Sequence, residues 1–213
     1  MNLILFGPPG AGKGTQAQHV VKKYNYFQLS TGDLLRNEIK KKTSLGKKIE
    51  KIISQGNLVT DDIVNTLLKH TITKLENNNR IIFDGYPRNI PQAENLEQIL
   101  KEKRQNECSI IFLNVSREII EKRIMGRVTC EKCNMTLNEF FNKNEVETHA
   151  CGKEYLKKRK DDNQEIVIKR YDTYMKKTKP VLDFYAKKEG FHEIDGSLKI
   201  EVITSKIDQI LKV

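Results

Sequence analysis

The stretch Leu3-Ile4-Leu5-Phe6-Gly7-Pro8-Pro9-Gly10-Ala11-Gly12-Lys13-Gly14-Thr15-Gln16 decides the fold. Four apolar residues run into a glycine-rich loop with one lysine and then a hydroxyl, and the residues beyond can start a helix. Strand, loop and helix in that order suit a phosphate site. Glycines let backbone N–H groups close around oxyanions that a Cβ would block. Lys13 adds a point charge, and the helix N-terminus adds partial positive charge. An ordinary glycine-rich turn would not need strand, spacing, lysine and hydroxyl together. The usual P-loop template puts Ser or Thr directly after the lysine. Here Gly14 stands there and Thr15 follows, so the loop is an edited P-loop.

With 213 residues the chain can build one sizeable core with smaller inserts. Its 38% hydrophobic and 31% charged content suits a soluble protein. No apolar run approaches the ~18 to 20 residues that span a bilayer. The opening MNLILFGPPG resembles the start of a signal peptide but lacks a basic region, and cleavage there would remove the loop. A cytoplasmic protein without a membrane partner is therefore expected. The formal net charge of +10 raises nucleic acid as a target. However, the lysines are spread from Lys22 to Lys212 without a dominant block, which favours a solvated lysine-rich surface and no nucleic-acid partner. Cys108 stands alone, whereas Cys130, Cys133 and Cys151 share one polar segment whose C-x-x-C spacing suggests a metal more than a disulfide framework.

Residues 2–6 read as a buried strand and 13–24 as the helix after the loop. A second short strand covers 26–30, after which Ser30, Thr31 or Asp33 can cap a helix. Two short helices over 34–42 and 44–54, split near Thr43, end at Gly56. A third runs from Asp61 to Glu76 with Ile63, Val64, Leu67 and Leu68 at helical spacing. The triplet at 77–79 reads as a turn, 80–84 as a strand, and 91–102 as a helix with Pro91 in its first turn. A strand over 110–115 and a helix over 116–126 follow. Residues 127–158 are polar and carry three cysteines, as an inserted module would, with Leu137, Phe140, Phe141 and Val146 as its small apolar contacts. A long helix from Asp162 toward Lys187, bent near Pro180, precedes a fifth strand at 191–195 and a last helix at 201–211. Five short apolar strands alternating with helices predict an α/β fold: a five-stranded parallel sheet with helices on both faces, plus inserted modules. Ligands bind such sheets at the carboxyl ends of the strands. The P-loop, Ser30–Arg36, Asp84–Arg88 and Asp195-Gly196 should therefore converge on one rim.

A P-loop accounts for one nucleotide but not for Arg36, Arg88, Arg123, Arg127, Arg159 and Arg170, which flank glycines, acidic pairs and the insert boundaries. Any one of them could be a surface ion pair. As a set they suit phosphate oxygens, which guanidinium groups match in bidentate fashion. Transfer of a phosphoryl group between two nucleotides concentrates negative charge at one point and needs such a supply of cations.

GPPGAGKGTQ at 7–16, STGDLLR at 30–36, GNLVTD at 56–61, DGYPRNIPQAENL at 84–96, RIMGR at 123–127 and RKDDNQE at 159–165 together closely resemble the adenylate kinases, P-loop nucleoside monophosphate kinases, in the bacterial form with a long lid. The resemblance covers the whole chain. It implies a three-layer core of residues 1–29, 60–121 and 160–213, an AMP-binding domain of 30–59 and a lid of 122–159. It implies that Gly10, Ala11, Gly12, Lys13, Gly14 and Thr15 hold ATP phosphates. Backbone groups around Thr136, Leu137 and Leu198 would contact the ATP adenosine. Thr31, Arg36, Asn57, Leu58, Val59, Gly85, Arg88 and Gln92 would bind AMP, with Arg159 and Arg170. Lys13, Arg88, Arg123, Arg127, Arg159 and Arg170 would surround the transferred phosphoryl, with Arg123 and Arg127 also on ATP. Asp33 and Asp84 would position Mg²⁺ through water, and Asp161 and Asp162 would anchor the closed lid. The implied reaction is ATP + AMP ⇌ 2 ADP in a soluble monomer. No general base is demanded, because the acceptor is already an anion.

Some bacterial members of that family hold zinc in the lid. The spacing here is C-x-x-C, seventeen residues, then C-x-x-E. Cys130, Cys133, Cys151 and Glu154 are expected to be the ligands of a structural Zn²⁺, with His149 as the competitor for the fourth place. Three reduced thiols in a lid held by packing alone are the alternative. The sequence departs from its relatives at Leu137-Asn138, where Tyr-His is frequent, and at Lys143-Asn144, where Pro-Pro is frequent. Three other functions compete: a UMP/CMP kinase of the same fold, a zinc-ribbon nucleic-acid binder and a P-loop ATPase or GTPase switch. Gln92, whose amide offers a donor and an acceptor to adenine, argues against the first. The absence of interleaved aromatics around the cysteines argues against the second, and the otherwise unexplained GYPR segment against the third.

Overall fold

The computed structural model describes residues 1–75, 80–105 and 107–212. Strand β1 (Asn2–Phe6) is buried along its whole length, because it lies between two parallel neighbours and under helices on both faces. It leads through the glycine loop into α1 (Lys13–Tyr24), followed by β2 (Phe27–Ser30), α2 (Thr31–Lys40), α3 (Ser44–Ser54), α4 (Asp61–Lys74), β3 (Ile81–Asp84), α5 (Ile90–Glu102), β4 (Cys108–Asn114) and α6 (Arg117–Met125). A small module follows, with β5 (Arg127–Cys130), β6 (Thr136–Asn138), α7 (Lys143–Glu147), a 3₁₀ turn (Lys153–Tyr155) and β7 (Leu156–Lys157). The chain then returns through α8 (Gln164–Thr173), a π-helical turn (Tyr174–Thr178), α9 (Lys179–Tyr185), β8 (Phe191–Asp195) and α10 (Ile200–Leu211).

The main sheet is parallel in the order β2-β3-β1-β4-β8, and the module carries an antiparallel sheet β6-β5-β7. Leu5 pairs with Asp84, Ser30 with Asp84, and Asn114 with Asp195, so the carboxyl ends of the strands stand level. The loops after β1, β2, β3 and β8 therefore share one rim. The chain runs to either side of β1, toward β3 and toward β4, and such a switch point opens a crevice over β1.

Each sheet face has its own core. Ile4, Phe6, Leu29, Phe83 and Leu96 pack under α2–α5 and α9, while Leu3, Leu5, Ile82, Ile111 and Ile124 pack under α1, α6, α8 and α10. Alternate residues of β1 point to opposite faces, and both faces are apolar. In the module, Val128, Leu137 and Val146 are buried with Leu156 against them. Phe140 and Phe141 are 55% and 60% exposed and lie outside that core, contrary to expectation. Asn138 turns the chain just before them: its side chain accepts from the N–H groups of Phe140 (2.9 Å) and Phe141 (3.3 Å).

The helix after β2 begins at Thr31 with Ser30 as its cap, accepting from the Asp33 N–H at 3.2 Å. It thus starts earlier than the 34–42 expected. The expected long helix after residue 162 is three pieces. Pro180 cannot donate to the ladder and crowds the turn before it, and the widened π turn stands just ahead. The expectations for Glu76 and the turn at 77–79 lie outside the described residues. No helix among the described residues is long and apolar enough to cross a membrane.

Asp208 of α10 fastens that helix to α1. Its carboxylate accepts from His19 (2.9 Å), Lys23 (2.6 Å) and Tyr24 (2.9 Å). Although burial opposes ionisation, these bonds hold it down at about 2. The folded value lies below the unfolded one of about 3.9. The contribution is therefore complete above about pH 4 and is lost as pH falls through 2. Asp208→Asn is expected to lower stability at pH 7 by about 2 kcal/mol in urea titrations and to flatten the acid limb of the stability curve.

Candidate active site

Gly7, Gly10 and Gly12 take φ values of +149°, +84° and +96°. At Gly10 conformation and space agree: an added Cβ would lie 2.8 Å from Ile124 Cγ1 of α6. At Gly14 an added Cβ would meet nothing within 4 Å, so the rim is open there. Lys13, the first residue of α1, folds back and donates from Nζ to the carbonyls of Gly7 (2.7 Å) and Pro8 (3.0 Å).

A cleft runs from Phe6, Gly7, Pro9 and Lys13 past Gly32, Arg36, Asn57, Leu58, Val59, Gly85, Arg88, Asp161 and Arg170 to the π turn at Tyr174 and Thr178. A smaller pocket adjoins it, lined by Thr31, Leu35, Leu58, Val59, Val64, Gly85, Arg88 and Gln92. These two cavities bring together Thr31, Arg36, Asn57, Leu58, Val59, Gly85, Arg88 and Gln92. The Gly85 carbonyl accepts from Thr31 Oγ1 (2.8 Å) and Arg88 Nε (2.7 Å). Thr178 Oγ1 donates to the Arg88 carbonyl at 2.9 Å, which explains why the π turn forms one wall. Thr136, Leu137 and Leu198 do not line either cavity. Leu137 serves the module core, and Leu198 packs against the second core face.

The site is crowded with cations. Burial pushes Lys13 down to about 8; Asp84 opposes this, and Arg88, Arg170 and Arg127 add to it. Arg88 is lowered to about 10 by burial and then by Arg170, and Arg159 to about 10 by burial, Arg127 and Arg36. Burial also lowers Arg123 and Arg170. Acids hold several of these groups in place. Asp162, 1% exposed, pairs with Arg127, accepting from its Nε at 2.8 Å, and Asp161 accepts from Arg170 at 2.6 Å. Arg123 reaches the Ala11 carbonyl at 3.4 Å. Gln28 donates to Asp84 at 3.0 Å, and Asp33 pairs with Arg36 at 2.5 Å.

Sequence reading missed Gln28, Asp61, Asn89 and Thr178. Asp61 and Asp62 open α4, where acids favour any helix dipole, so nothing in the local pattern marks Asp61.

In the module, Cys130, Cys133, His149 and Cys151 hold their ligand atoms within 4.8 Å of one another, and all four cysteines of the chain are free thiols. His149 Nε2 is 3.6 Å from Cys133 Sγ. This corrects the expected Cys130, Cys133, Cys151 and Glu154 set: Glu154 is outside the group, its carboxylate lying against Gly152. Gly152, at φ +98°, lets the 3₁₀ turn carry Glu154 away while His149 and Cys151 return toward the C-x-x-C hairpin. Burial opposes ionisation of Cys130. The backbone N–H of Cys133, His149 and the backbone of Lys132 overcome it and bring the thiol to about 6. Such a donor set suits tetrahedral Zn²⁺.

A parallel sheet, a glycine loop with a partly buried lysine, and arginines lining one cleft define a phosphotransferase of the P-loop class. The family model described as adenylate kinase matches residues 5–190. The adenylate kinase of Pelagibacter ubique is 68% identical over all of both chains. That of Erythrobacter litoralis is 41% identical over all of both chains, and that of Allorhizobium ampelinum 39% over 99% of each. The chain belongs to the adenylate kinase family.

A polyphosphate beside Lys13 must raise its pKa from about 8. Relative to Lys13→Met, binding should therefore take up more proton, by about half of one per site at pH 8 and about a tenth at pH 7. Calorimetry with inorganic tripolyphosphate in buffers of different ionisation enthalpy measures this uptake. Equal uptake by the variant would assign the proton to another group.

Proposed function

We propose that the chain catalyses ATP + AMP ⇌ 2 ADP. The observation that carries this reading is the group of partly buried cations, Lys13, Arg36, Arg88 and Arg170, that lines one cleft beside the glycine loop and that a ligand rich in phosphates would complement. In this reading Gly10, Ala11, Gly12, Lys13, Gly14 and Thr15 hold ATP phosphates, and backbone groups near Thr136, Leu137 and Leu198 meet its adenosine. Thr31, Arg36, Asn57, Leu58, Val59, Gly85, Arg88 and Gln92 hold AMP together with Arg159 and Arg170. An AMP phosphate oxygen attacks the γ-phosphorus, the bond to the β–γ bridging oxygen breaks, and ADP leaves on both sides. Lys13, Arg88, Arg123, Arg127, Arg159 and Arg170 stabilise the charge in flight.

Mg²⁺ bound with ATP would screen its phosphates. Asp84 suits it through water, being at the end of β3 and steadied by Gln28, while Asp33 is turned to Arg36. Residues 30–59 and 122–159 are the AMP-binding domain and the lid on a core of 1–29, 60–121 and 160–213. The lid would exclude water that could otherwise hydrolyse ATP. The protein works as a cytoplasmic monomer on free nucleotides.

Phosphotransfer to AMP, UMP, CMP and GMP tests the reaction. AMP should be preferred, and preference for UMP or CMP would overturn the reading. Lys13→Met should lower kcat about 10²–10³-fold with the melting temperature retained, since this charge acts mainly in the transition state. Normal turnover in the folded variant would refute the assignment.

Cys130, Cys133, His149 and Cys151 would hold a structural Zn²⁺, leaving no ligand position open for chemistry. Metal analysis of protein prepared without chelator should find about one Zn²⁺ per chain. Chelation should lower the melting temperature while the P-loop still binds ATP. His149→Ala should weaken the metal more than Glu154→Ala, and the reverse order would restore Glu154 as ligand.

A further inference from the structure

Gln92 is 3% exposed and lines the small pocket beside Arg88. A glutamine amide has two chemically opposite ends, and one that is free to turn suits either of two opposite hydrogen-bonding edges. Here both ends are committed. Oε1 accepts from the backbone N–H of Arg88 at 2.8 Å, and Nε2 donates to Asp61 Oδ1 at 2.6 Å. A backbone N–H can only donate and a carboxylate can only accept, so chemistry assigns the two ends. Turning the amide over would set NH₂ against N–H and oxygen against carboxylate.

Asp61 is itself held. Asn89 Nδ2 donates to both Asp61 oxygens at 3.0 Å, and Asn89 Oδ1 caps α5 by accepting from the Gln92 N–H at 2.9 Å. The cap fixes which end of Asn89 meets Asp61, and Asp61 fixes which end of Gln92 it meets. After these bonds Gln92 retains one N–H and one oxygen lone pair. A 6-aminopurine presents an acceptor at N1 and a donor at N6, which complements that pair. A 6-oxopurine presents the reverse, a donor at N1–H and an acceptor at O6.

We propose that Asp61 is a specificity-determining positioning residue: by locking the Gln92 amide in one orientation it makes the monophosphate pocket reject 6-oxopurine nucleotides. This rests on the reading that the pocket takes the base of AMP. Asp61 lines neither cavity, and Gln92 held by the Arg88 N–H alone would turn more readily and discriminate less.

The test is the ratio of kcat/KM for AMP to that for IMP, with MgATP as donor, in wild type, Asp61→Asn and Asp61→Ser. Asparagine nearly preserves the shape but can offer either an acceptor or a donor to Gln92, and serine leaves room for water. Both variants should raise KM for AMP with little change in kcat, and both should lower the AMP/IMP ratio at least tenfold through gained use of IMP. A purely structural role would depress both substrates alike and leave the ratio intact, and that result overturns the proposal. If Asp61→Asn folds poorly, Asp61→Ser gives the same reading, and ratios are compared on the folded fraction. Wild type that uses AMP and IMP equally would also overturn it. Wild type that phosphorylates neither purine would instead defeat the functional reading on which it rests.

Discussion

Repulsion among partly buried cations is the constraint on which the rest of the site depends. Lys13, Arg88, Arg159 and Arg170 are all lowered by desolvation and then by neighbouring arginines, among them Arg36 and Arg127. Left to themselves, long cationic side chains would swing into water. Their carboxylate partners prevent this: Asp162 on Arg127, Asp161 on Arg170 and Asp84 facing Lys13. The acids are too few to neutralise the cations, so an unmet demand for negative charge remains at the crevice over β1. Preorganised charge of this kind is what phosphoryl transfer requires, because it need not reorganise as the phosphoryl moves.

The parts of this arrangement that follow local rules were legible in the chain. β1 is a run of apolar residues ending in glycine, and β1, α1, α3 and β8 fall where periodicity and caps put them. The six arginines could be singled out because each flanks a glycine, an acidic pair or an insert boundary. Long-range geometry was not legible. Glu154 and His149 were both chemically acceptable ligands, and only the left-handed Gly152 decides which one returns to the cysteines. Phe140 and Phe141 looked like core, but the Asn138 turn leaves both outside it. The π turn ahead of Pro180 likewise has no signature beyond the proline, although its Thr178 bond to the Arg88 carbonyl shapes the cleft.

The module between α6 and α8 has a different stability problem from the main body. Its core is three buried residues with Leu156 against them, where each face of the main sheet buries more than a dozen. At roughly 1.5–3 kcal/mol per buried aliphatic side chain, that core cannot offset the ordering of some thirty residues. Drawing four ligand atoms from two ends of the segment into one cluster closes its longest loop, which packing alone would leave costly.

Hydrogen bonds are consequently distributed unevenly along the cleft. At the small pocket, Asp61, Asn89, Gln92 and the Arg88 backbone form a closed set of hydrogen bonds, and Tyr86 is fixed behind them by Asn65 and Asn95, each at 2.9 Å. At the phosphate end the loop is set on β1 and α1. The module instead meets α1 through a weak contact: Gln18 donates to the Asn134 carbonyl at 3.4 Å. The strong connection is Arg127–Asp162, and Arg127 stands among the cations. Arg127 thus belongs at once to the tie between module and body and to the group of charges that acts on Lys13.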